Sequence, residues 1–104
     1  MFEGWRDIEG YPTLFPCDRP VVVRTSWLPP SGTRRDNLAM WIKAGGLELN
    51  YEMPGRQLAW VRRCDGSWIA VVELTARSGN GRSSLTATLW LPPGAISADS
   101  GTQA

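Results

Sequence analysis

The chain has 104 residues, 42% of them hydrophobic and 20% charged, a length and balance that fit one globular domain and exclude a disordered polypeptide. Eleven basic residues against ten acidic ones leave a net charge of +1, without the basic excess of a dedicated nucleic-acid protein. Histidine is absent, which removes the commonest general base and metal ligand. The two cysteines, Cys17 and Cys64, stand far apart and read as free thiols.

Residues 1–19 are broken by Gly4, Gly10, Pro12 and Pro16, yet carry Phe2, Trp5, Ile8, Tyr11, Leu14 and Phe15. They are expected to form an irregular segment that packs on the domain. The opening residues lack a basic stretch followed by an apolar one, and no apolar run approaches the roughly 18 residues of a membrane span. A cytoplasmic chain without membrane contact is the expectation.

A β domain is predicted over residues 20–94. Residues 21–28 read as a strand stopped by Pro29-Pro30. Residues 37–44 fit a strand that turns at Gly45-Gly46 and pairs Ile42 with Leu49, or else a short helix capped by Asp36. Residues 47–53 alternate polar and apolar side chains as a half-buried strand does, and Pro54-Gly55-Arg56 is expected to be a three-residue loop into the next strand.

Asp65-Gly66 and Asn80-Gly81 each suit a two-residue type I′ hairpin, which demands positive φ at both central positions. The first places Ala59 opposite Val72 and Val61 opposite Ala70. The second pairs Ala76 with Leu85, Leu74 with Ala87, Val72 with Leu89 and Ala70 with Leu91. Both turns put Ala70, Val72 and Leu74 on one apolar face. A single sheet cannot leave such a face in water. The predicted fold is therefore all-β, an antiparallel meander of five to six strands closing into a small, partly open barrel. Residues 95–104 are small and polar and are expected to form a disordered tail.

On the opposite face this register lines up Trp41, Asn50, Trp60, Val71 and Trp90, with Leu58 and Ile69 beside them. Three indoles in a row are an interaction surface by composition, and Arg62 with Lys43 and Glu48 would form its polar rim. The alternative is that residues 1–19 cover the row. No catalytic residue, metal ligand or cofactor motif emerges. Serines lack an activating base, Ser78-Gly79-Asn80-Gly81-Arg82 lacks the ending of a phosphate loop, and Glu52 and Glu73 fall on a solvated convex face. The expected function is a small non-catalytic binding module, associating with a protein partner or a second copy through Trp41, Trp60, Val71, Trp90, Leu58 and Arg62. Single-stranded nucleic acid or carbohydrate on the same row is the alternative.

Overall fold

The computed structural model of the chain describes residues 1–25 and 38–98. Six strands form one antiparallel sheet: β1 (Leu14–Arg24), β2 (Leu47–Glu48), β3 (Glu52–Arg62), β4 (Trp68–Ser78), β5 (Ser84–Leu91) and β6 (Ile96–Ala98). Their order is β5-β4-β3-β1-β6, with β2 adding to β4 at Arg77 and Ser78. The expected all-β antiparallel architecture is the observed one, and the sheet stays open. A helix, α1 (Met40–Gly45), and a 3-10 turn, Pro93–Ala95, complete the structure. Among the described residues no helix is long and apolar enough to cross a membrane.

The β4–β5 hairpin has the predicted register at every pair from Ala70–Leu91 to Arg77–Ser84. Its turn differs. Gly81 N–H donates to the Ser78 carbonyl at 2.8 Å, Gly81 has φ +74°, and among the described residues no non-glycine residue has positive φ. This is a four-residue loop rather than a type I′ turn, and it keeps the same parity. The Asp65-Gly66 turn is a three-residue loop, with Gly66 N–H on the Arg63 carbonyl and Gly66 at φ +88°. That extra residue moves the register by one. Ala59 pairs with Val71 and Trp60 with Ala70. A β-bulge at Leu58, which has no partner on β4, restores the other parity, so Gln57 faces Val72.

Three further expectations are corrected. Residues 40–45 form the helix and not the strand, so the pairing of Ile42 with Leu49 does not exist. Pro54-Gly55 lies inside β3 instead of turning the chain. Gly55 is needed there for space: a Cβ would stand 3.0 Å from Val23 Cγ2 and 3.1 Å from the Glu73 carbonyl. Pro54 is tolerated because the ladder to β4 begins only at Gly55. Lastly, β1 starts at Leu14, inside the segment expected to be irregular, and runs through Pro16 and Pro20. Those prolines fall where β1 is a sheet edge, since β6 reaches only Val21, Val22 and Val23. Residues 26–28 and Asp36 lie outside the described residues.

The buried face of the sheet carries Val21, Val23, Met53, Ala70, Val72, Leu74, Ala76, Leu91, Ala95 and Ile96, with Trp60 and Leu89 packed against them. Closure comes from residues 92–95, which lead from β5 at one edge to β6 at the other and pack on β4. In a flat sheet four strand spacings and seven residues of offset would separate Leu91 from Ile96 by about 30 Å. Five residues reach at most about 18 Å. The sheet must therefore coil strongly around its apolar face. Ala95 and Ile96 are buried by this path, where the sequence suggested a disordered tail.

Candidate functional site: two aromatic surfaces

The six sequence-predicted site residues do not form one row. Trp41 is on α1 and 76% exposed; Trp90 is on β5, opposite Val71, and also 76% exposed. Trp60, paired with Ala70 and Phe15, lies on the inner face, and Arg62 shares that face opposite Trp68. Leu58 is the half-buried bulge residue. Only Val71 and Trp90 stay together as expected. The one-residue difference at Asp65-Gly66 is the cause, because side chains change face with each residue of register.

The outer face divides in two. Toward the Ser78–Ser83 turn it is polar: Thr75 and Thr86 share a hydroxyl bond of 2.7 Å, and Glu73 lies between Arg56 and Thr88. At the other end Leu14, Val61, Ile69, Val71 and Trp90 line a cavity of 350 Å³ whose roof is Met1, Phe2, Gly4 and Trp5. The N-terminal segment thus covers part of this surface. Asp7 holds the cover in shape. Its Oδ1 accepts the Thr13 N–H at 2.9 Å and the Trp5 indole N–H at 2.9 Å. The Thr13 bond, then the Trp5 bond, holds the Asp7 carboxyl below its ordinary pKa.

The outer apolar end runs to the free edge of β5, which pairs only with β4 among the described strands. The eight residues Ser84–Leu91 contain no charge, proline or glycine. Ser78 N–H donates to the Ser83 carbonyl at 2.9 Å, which sets the hydrogen-bonded pairs of this ladder at alternate residues. Leu85, Ala87, Leu89 and Leu91 therefore turn their backbone groups toward β4. Those of Ser84, Thr86, Thr88 and Trp90 point outward. β6, at the opposite edge, spans three of the described residues, Ile96–Ala98.

The inner face holds a second aromatic surface, which the sequence reading missed. Phe15, Trp60, Trp68 and Pro93 line an open cleft of 510 Å³. Phe15 and Trp68 rings meet at 5.6 Å, tilted by 50°. The Arg19 guanidinium lies 5.9 Å from the Trp60 ring centre, and that of Arg62 lies 5.4 Å from the Trp68 ring. The alternation of Trp60, Arg62 and Trp68 across the loop would have signalled this cleft had its length been known. Glu52 and Glu73 are exposed on strands beside Arg24 and Arg56, and Glu73 lines a shallow groove of 310 Å³ with Pro20, Pro54, Arg56 and Thr75. No family model, curated protein or solved structure matches the chain.

Proposed function

We propose that the chain is a non-catalytic binding module whose partner is a second copy of itself, joined along β5. The observation that carries this reading is the uncharged free edge of Ser84–Leu91 beside the exposed Trp90. Natural sheets blunt their edges with lysine, proline, bulges or brevity. β1 is blunted by Pro16 and Pro20. β5 has none of these devices and is framed instead by Arg82 before it and Pro92-Pro93 after it.

Two copies joined edge to edge about a twofold axis run antiparallel and keep the same face on the same side. Opposite residues then share parity, which matches the outward set Ser84, Thr86, Thr88 and Trp90. A register centred on Thr88 sets Thr86 against Trp90 of the second copy and Leu85 against Leu91. The exposed indole area of Trp90 would be covered there. The polymer-binding alternatives needed Trp60 and Trp90 in one row on the same face, an arrangement this register does not supply.

Sedimentation across a range of concentrations tests the reading. The wild type is expected to double its mass as concentration rises, and Thr88→Lys to remain monomeric with an unchanged melting temperature. A wild-type chain that stays monomeric throughout overturns it.

A further inference from the structure

The inner cleft has a chemistry of its own, independent of β5. Its walls are three aromatic rings and a proline, and the Arg19 and Arg62 guanidiniums lie against two of those rings, beside the lining and not part of it. Each guanidinium is fixed in two ways. Arg19 Nε donates to Gln57 Oε1 at 2.7 Å, and Gln57 is itself fully buried; Arg62 Nε donates to the Gly66 carbonyl at 3.2 Å. Each also lies against an indole. The described hydrogen bonds use Nε alone, which leaves the paired Nη groups as donors. Among the described residues neither arginine has a carboxylate within 4.0 Å. Trp60 and Trp68 are diagonal neighbours across β3 and β4, about 7–8 Å apart at Cα. The two charges therefore flank one short aromatic surface.

An arginine held by Nε and by a ring has already lost the side-chain freedom that binding would cost, and its fork matches a carboxylate or a phosphate. We infer that the Phe15–Trp60–Trp68 cleft binds an organic anion: a ring-bearing apolar body against the aromatic walls, and an acidic head on the Arg62 fork. A neutral apolar ligand would fill the cleft and leave both forks unused. A bare inorganic anion would use the forks and leave the rings wet.

Fluorescence titration with anilinonaphthalenesulfonate, against the uncharged N-phenylnaphthylamine, tests this. The sulfonate is expected to bind about tenfold more tightly, the worth of one charge-assisted contact. Arg62→Gln should remove that advantage and leave the neutral probe unaffected. Arg62 is exposed and the change spares the buried Gln57 pair. Trp90→Ala, on the other face, should leave both affinities unchanged. Equal affinity of the two probes, indifference to Arg62→Gln, or loss of binding in Trp90→Ala overturns the proposal. Competition then identifies the acidic head: displacement by a nucleoside monophosphate assigns phosphate, and displacement by indoleacetate assigns carboxylate. Displacement by neither at millimolar concentration also overturns it.

Discussion

Gln57 carries the largest fully buried side chain among the described residues, and it is polar. Its amide is satisfied at both ends, by Arg19 Nε and by the Ala59 carbonyl at 3.1 Å. An amide sealed in this way helps stability only while both partners remain. Gln57→Ala is expected to cost about 1–3 kcal/mol in urea denaturation, since Arg19 and the Ala59 carbonyl lose their partner. Gly55→Ala acts by the opposite route. Its added Cβ meets Val23 and the Glu73 carbonyl in a packed interior, with an expected cost of about 1–3 kcal/mol in the same measurement. Asp7 supplies a pH dependence of defined sign. Its carboxyl sits below the usual 3.8 because Thr13 and Trp5 donate to the ionised form. The stabilisation is thus complete above that value and disappears as pH falls through the lowered one. In an acid titration the Trp5 indole N–H resonance should shift while β4 and β5 amides hold. Asp7→Asn should abolish that shift.

A strand is tested best by what it leaves unbonded. In β5 the Thr88 N–H points away from β4 and the Leu89 N–H points toward it. Thr88→Pro is expected to leave the monomer folded and to prevent dimer formation, whereas Leu89→Pro breaks the ladder and unfolds the hairpin. Circular dichroism and sedimentation of the two variants distinguish these outcomes. The same element shows how much was legible in the residues. The β4–β5 register and its apolar face were fully readable, because a two-residue and a four-residue loop have the same parity. Across the other hairpin the reading failed by one residue, because Asp-Gly serves two turns equally well. Asp65 does not adopt positive φ; its Oδ1 accepts the Ser67 N–H at 2.9 Å. Asn80 does the same for Arg82 at 3.0 Å. In both, the polar residue is a local acceptor and only the glycine goes left-handed. The dipeptide marks the glycine, not the loop length. Everything downstream of that length, including the face of Trp60, was out of reach. The α1 helix was legible only as an alternative, because Leu38, Trp41 and Ile42 suit either period.

At the scale of the whole molecule, the path from Leu91 to Ile96 is what turns an open sheet into a container. Ala95 and Ile96 seal a face that β1, β3, β4 and β5 leave open. Ile96→Ala is expected to cost about 2–4 kcal/mol by thermal or chemical denaturation, as much as an aliphatic change deep in the sheet. Thr86→Ala, on the solvated face, should cost much less.

That same path makes the order of synthesis matter. Val21 and Val23 leave the ribosome early, but they pair with Gly55 and Met53 halfway along the chain and with Ala98 and Ile96 near its end. Their ladder cannot be completed until residues 96–98 have been made. Such distant pairings close slowly, because the loop entropy is lost before any contact compensates for it. The β4–β5 hairpin, whose partners are neighbours in the chain, needs only residues 68–91 and can form while residues 96–98 are still to come. A nascent chain would carry the finished hairpin with its bare edge and an unsealed apolar face at the same time, the combination most prone to clumping. Emergence of residues 96–98 ends that interval, and this gives β6 a role in solubility during synthesis as well as in packing.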